Sequence, residues 1–134
     1  MRVIRACTEL GVRSIAVFSE ADRLAPHVLE ADEAYLLGPA PSSESYLRTD
    51  RILEIAKRAR VQAVHPGYGF LSEQAAFAQA VADAGLTFVG PDITTIATMG
   101  SKTQARRRMQ DIGIPMVPGA TETVEDPEAA LRMA

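Results

Sequence analysis

The chain has 134 residues, 47% of them hydrophobic and 23% charged, enough to bury one ordinary core and with no bias toward disorder. Its 14 basic and 17 acidic residues leave a net charge of -3, which argues against nucleic acid or an anionic membrane as a partner. The single cysteine, Cys7, excludes an internal disulfide and a cysteine-rich metal site, and no apolar run is long enough for a signal peptide or a bilayer span, so a soluble, cytoplasmic protein is expected.

Residues 2 to 10 place Val3, Ile4, Cys7 and Leu10 on one face and stop at Gly11, so the chain opens inside a helix. Arg5 and Glu9 stand four apart on it, the spacing of an internal ion pair worth roughly 0.2–0.5 kcal/mol. SIAVF (14–18) is a β-branched apolar run that reads as a buried strand; EAYLLG (33–38) repeats it more weakly after APHVLEAD, which has room for one helical turn. GPAPSSES (38–45) resists both helix and strand. Ile52, Leu53, Ile55, Ala56 and Ala59 then make a helical stripe, and VQAVH (61–65) a third strand. Phe77, Ala80, Val81 and Ala84 form the next helical stripe, which Ser72 is placed to cap, and LTFVG (86–90) is a fourth strand stopped by Pro91. ITTIATM predicts a short helix, residues 102 to 111 a longer one, and GIPMVPG an extended connector, because Pro115 and Pro118 forbid helix; a last helix is expected from Pro127. Alternating helices and short apolar strands predict an α/β fold, a parallel sheet with helices on both faces.

In such sheets ligands sit beyond the carboxyl ends of the strands. AVHPGYGFLSEQ (63–74) lies there, and Gly67 and Gly69 permit a turn that carries Tyr68 with little bulk around it. Taken alone, it reads either as a ligand wall or, more simply, as a glycine turn whose aromatics pad the sheet end. It lacks the third glycine of a dinucleotide fingerprint, and His65 has no partner at metal-ligand spacing, which leaves it a hydrogen-bonded strand-end residue. MGSKTQARRRM (99–109) opens a helix with a glycine, a hydroxyl residue and Lys102, an arrangement that attracts phosphate but is not a Walker A loop. By itself it is an ordinary capped helix, with Arg106, Arg107 and Arg108 on a solvated face.

RVIRACTELG, SEADRLAPHVLEADEAYLLGPAPSSESYL, HPGYGFLSE, LTFVGP, MGSK and GIPMVPG, in this order and spacing, closely resemble the N-terminal part of biotin carboxylase from residue 1 to about 120. The family spans the biotin carboxylase subunits of acetyl-, propionyl- and methylcrotonyl-CoA carboxylases and the matching domain of pyruvate carboxylase. The resemblance implies a Rossmann-like pre-ATP-grasp domain over residues 1–98 and the start of an ATP-grasp domain over 99–134. It implies a ligase that uses ATP with Mg2+ and bicarbonate to carboxylate biotin on a carrier protein, beside a carboxyltransferase, as a homodimer. Lys102 maps to the lysine that contacts ATP phosphate, Tyr68 and Gly69 to the biotin and bicarbonate pocket, and Arg5 and Glu9 to the dimer interface.

Family members begin with a strand and an asparagine-arginine-glycine-glutamate turn ahead of the opening helix, and these are not in the chain. That strand is expected to be central, so two strand edges are expected to be open. The resemblance also places the ATP lid, the metal-binding glutamates and the catalytic residues beyond residue 134, so no catalytic or metal-binding residue is expected here and the chain alone should be poorly stable and inactive. A noncatalytic nucleotide- or partner-binding module, and another ATP-grasp ligase, are the alternatives.

Overall fold

The computed structural model of the chain describes residues 1–117 and 131; Pro118 and the helix expected from Pro127 lie outside the described residues. The opening stripe forms α1 (Arg2–Glu9), and Gly11 turns the chain just after it at φ +66, a left-handed conformation that glycine adopts without steric cost. β1 (Ile15–Ser19) and β2 (Glu33–Gly38) pair in parallel, Ile15 opposite Glu33 and Phe18 opposite Leu36, with α2 (Pro26–Glu30) crossing between them. The prolines of SEADRLAPH and GPAPSS behave differently: Pro26 stands in the first turn of α2, where its missing N–H costs nothing, whereas Pro41 precedes a single tight turn.

α3 (Thr49–Arg58) leads to β3 (Ala63–Val64), which pairs in parallel with β4 (Thr87–Phe88) across α4 (Ala75–Asp83). α5 (Ile93–Gly100) and α6 (Lys102–Asp111) complete the described elements. The α/β class and the chain order of helices and strands therefore follow the sequence pattern.

The sheet does not form as one unit. β1 and β2 make one parallel pair, β3 and β4 another, and no ladder joins the pairs among the described residues. A parallel strand is fully buried only when neighbours flank both edges and helices cover both faces. With open edges, the run expected to be a buried strand is partly wet: Ile15, Ala16 and Val17 are half-buried and Ala63 is exposed.

Leu71, Phe77 and Val81 form the core beside β3 and β4, with Leu47, Ile52, Leu53, Val64, Leu86 and Phe88 packed around them. Phe77 meets Phe88 edge to face at 6.2 Å, the orientation that the ring quadrupoles favour. Phe18 and Leu37 are buried in the other pair. Arg13 ties the two pairs: its guanidinium donates to Glu33 Oε1 and to the Ala59 carbonyl, each at 2.6 Å. From α3, the Arg58 guanidinium lies 4.7 Å from the centre of the Tyr35 ring on β2.

Candidate functional site

The chain leaves β3 at His65 and turns at once. His65 Nδ1 accepts from the Gly67 N–H at 3.0 Å, so this histidine shapes the bend, as its place at a strand end implied. Gly67 and Gly69 take φ of +75 and +71, and Phe70 follows at +45. The glycines adopt this conformation freely, but a β-carbon makes it cost on the order of 1 kcal/mol at Phe70. The turn is pinned by Leu71, which is buried in the core.

Tyr68 is 92% exposed and Phe70 60% exposed, so neither pads the end of the sheet. A Cβ placed on Gly69 would meet nothing within 4 Å, which leaves room for a ligand to approach the backbone.

Ser72 does not cap α4. Its hydroxyl donates to the Gly69 carbonyl at 2.8 Å inside the tight turn 70–73, and α4 starts only at Ala75, where Gln74 contributes no side-chain cap. The left-handed Phe70 prolongs the turn, so the hydroxyl is spent on the turn's own backbone.

α5 is anchored by Asp92, whose Oδ1 accepts from the Thr95 N–H at 2.8 Å and whose carboxylate also takes the Thr94 and Thr95 hydroxyls. These donors, the Thr94 hydroxyl foremost, hold the Asp92 carboxyl well below the usual range. The far end of α5 comes up to the glycine turn: a methyl group on Gly100 would lie 3.4 Å from the Glu73 carbonyl oxygen. Ser101 then caps α6, accepting from the Gln104 N–H at 3.4 Å, and Lys102 is the exposed first residue of that helix. The fold thus sets Gly100, two residues ahead of Lys102, against Glu73 at the end of the tight turn that follows Gly69. A helix start such as that of α6 favours a phosphate.

Other expectations change. Arg106 does not join a solvated face: it is half-buried and its guanidinium donates to the Val117 carbonyl, drawing the connector back onto α6. Arg5 and Glu9 are both exposed on α1, and the ion pairs among the described residues are Arg13–Glu33 and Arg48–Asp50 instead. At an exposed site the fixed geometry of two long side chains costs as much as the pairing returns.

Sequence reasoning missed what happens at the carboxyl end of β1. Tyr46 accepts from the Ser19 N–H at 3.1 Å and donates to Asp22 Oδ2 at 2.5 Å, while the Ser19 hydroxyl donates to the same oxygen at 2.8 Å. The Tyr46 hydrogen bond lowers the Asp22 carboxyl, and burial pushes the Tyr46 phenol up. That strand end is filled by the protein's own hydrogen bonds; the end of β3 is open. No local pattern marked Tyr46, because its partners lie 24 and 27 residues away.

Among the described residues no group of three or more His, Cys, Asp or Glu could hold a metal ion. A groove lined by Leu53, Lys57, Arg60, Val61 and Leu86 lies at the opposite ends of β3 and β4, and none of the expected site residues reaches it.

Residues 1–96 match the family model described as biotin carboxylase, N-terminal domain. The chain is 50% identical over 134 residues to biotin carboxylase 2 of Bacillus subtilis, covering 100% of this chain and 30% of that protein. It is 44% identical over 133 residues to the mitochondrial propionyl-CoA carboxylase alpha chain of Homo sapiens, covering 99% of this chain and 18% of that one. Among solved structures, the biotin carboxylase domain dimer of Hydrogenobacter thermophilus 2-oxoglutarate carboxylase, in complex with MgADP, ADP and bicarbonate, superposes with a TM-score of 0.89 at 42% identity, over 98% of this chain and 29% of that one. The chain therefore spans 30% or less of the length of these curated relatives.

Proposed function

The chain belongs to the biotin carboxylase family, and from that premise we propose that its residues form one wall of the site in which an ATP-grasp ligase carboxylates biotin with ATP and bicarbonate. The observation that carries this reading is the open turn at the end of β3, with Tyr68 92% exposed, whose following tight turn meets Gly100, two residues ahead of Lys102, at Glu73. In this reading the Lys102 ammonium and the first amides of α6 hold an ATP phosphate. Tyr68 and the bare backbone of Gly69 line the side that receives bicarbonate and the biotin ring. The described residues supply no carboxylate cluster for magnesium, and no role toward that ion is assigned to them.

The match of the family model over residues 1–96 supports a division into a pre-ATP-grasp part, 1–98, and the start of an ATP-grasp part, 99–134. The relatives are named as a biotin carboxylase and as one chain of an acyl-CoA carboxylase, which supports a biotin carrier and a carboxyltransferase as partners. A related domain was solved as a dimer with MgADP and bicarbonate, which supports a homodimer, with exposed Arg5 and Glu9 on α1 at its interface. No helix of the described residues is long and apolar enough to cross a membrane, and cytoplasmic location is part of the same proposal.

The test is bicarbonate-dependent ATP hydrolysis with free biotin, in a full-length protein carrying these residues. Lys102→Ala should raise the KM for ATP by roughly tenfold or more, the loss expected when one charge-assisted hydrogen bond is removed. Tyr68→Ala should raise the KM for biotin and leave that for ATP in place. Unchanged ATP affinity and turnover in Lys102→Ala would remove that residue from the site.

A further inference from the structure

Among the described residues, four helices close with the same pair of backbone hydrogen bonds. After α1, α4 and α6 the residue that turns left-handed is Gly11, Gly85 or Gly113, at φ +66, +74 and +74. A β-carbon at any of the three would meet nothing within 4 Å, so backbone conformation alone selects glycine there. α3 closes with the same bonds: the Arg60 N–H donates to the Lys57 carbonyl at 3.2 Å and the Val61 N–H to the Ala56 carbonyl at 3.0 Å. Its left-handed residue, however, is Arg60, at φ +52. A side chain in that conformation costs stability that glycine avoids, and such strain is characteristic of residues with a function.

Capping does not account for the arginine. The carbonyls at the end of α3 are already taken, those of Ala56 and Lys57 by the backbone, that of Ala59 by Arg13 and that of Arg60 by the Gln62 side chain. The Arg60 guanidinium has no hydrogen bond or ion pair among the described residues, and neither do the side chains of Lys57 and Glu54. All three are exposed on the rim of the groove at the opposite ends of β3 and β4 from the glycine turn.

That groove has a volume of about 600 Å³, within the range of ligand sites, and an apolar floor of Leu53, Ala56, Val61 and Leu86. Asp50 also lines it, but both of its carboxylate oxygens are held by Arg48. The charges left open are two cations at the carboxyl end of α3 and Glu54, which stands six positions before Arg60, about 9 Å along the helix axis.

We propose that the groove binds the carboxyl terminus of a partner polypeptide. Arg60 and Lys57 hold the terminal carboxylate, the last side chain is apolar and lies on the floor, and a basic side chain two positions earlier meets Glu54. A guanidinium pairs with a planar carboxylate through two parallel hydrogen bonds, and the ammonium adds a further donor. The charges of a free amino acid are too close together to reach both ends. Three extended residues span about 10 Å and set alternate side chains on the same side, which fits the separation.

The probe is the fluorescein-labelled peptide Gly-Gly-Lys-Thr-Leu with a free carboxyl terminus, titrated by anisotropy against a full-length protein carrying these residues, without ATP or biotin. Binding should saturate at one peptide per chain below about 1 mM, and the same peptide ending in an amide should bind at least tenfold more weakly, the loss of a charge-assisted hydrogen bond. Norleucine in place of the peptide's lysine should weaken binding about threefold in the wild type and leave it unchanged in Glu54→Gln. Arg60→Gly should also weaken binding at least tenfold, while amide exchange at Ala59 and Val61 stays as slow as in the wild type or becomes slower. A purely structural arginine would show the reverse, faster exchange with affinity intact. The proposal is overturned by the absence of saturable binding up to about 1 mM, by equal affinity of acid and amide, by unchanged affinity in Arg60→Gly, or by complete displacement with equimolar octanoate, which would make this a site for small carboxylates.

Discussion

Two aspartates brace β1, one at each end. Asp32 accepts from the Ser14 N–H at 2.7 Å and the Ser14 hydroxyl at 2.8 Å, and Asp22 accepts from Tyr46 and Ser19. The Ser14 backbone and hydroxyl lower the Asp32 carboxyl as Tyr46 lowers that of Asp22, and the Arg48 side chain draws Asp50 down to about 2. Each of these carboxyls sits below its ordinary value of 3.8 in the folded chain, so the fold gains from their ionised forms at all pH above that value. The gain disappears as pH falls through the folded values. Stability should therefore show no loss from these groups between pH 7 and about 5 and should decline from roughly pH 4 downward. Urea midpoints measured across that range check it, and a decline already complete above pH 5 would show that these carboxyls do not set the acid sensitivity.

At the scale of elements, periodicity marked the helices well because each one is amphipathic by itself. The expected helix over residues 102–111 is α6 to the residue, and Lys102 stands at its start as expected. The glycine turn was legible for the same local reason: two glycines, at 67 and 69, sit where left-handed backbone is required. What pattern could not show depends on distant neighbours: the split of the sheet, the use of Ser72 inside its own turn, and the Tyr46 bridge to Asp22. The end of β2 is another such case. A Cβ on Gly38 would fall 2.4 Å from the Glu44 backbone oxygen, so the strand can end against the turn at 42–44 only without a side chain. Gly38→Ala must displace backbone rather than a side-chain tip, and should destabilise the chain by about 1–3 kcal/mol in urea unfolding. A neutral effect would mean that the loop at 42–44 yields without cost.

At the scale of the whole molecule, the described residues form two half-sheets, each with its own buried residues. Phe18 and Leu37 are buried with β1 and β2, whereas Phe77 and Val81 are buried with β3 and β4. Arg13, bonded to the carbonyl of buried Ala59, and exposed Arg58, set over half-buried Tyr35, connect the halves. A domain with one continuous sheet transmits a core defect everywhere, because every strand shares hydrogen bonds with the next. Here a defect in one half should stay in it. Val81 has no exposed surface, and Val81→Ala should cost roughly 2 kcal/mol through the lost methyl groups and the cavity they leave, about thirtyfold in the opening equilibrium. Amide exchange should accelerate by that factor through α4, β3 and β4 and stay within about twofold at Val17 and Leu37, because those amides open with their own half. Equal acceleration in both halves would show that α3 couples them into one cooperative unit, and that the gap between β1 and β3 does not divide the molecule's stability.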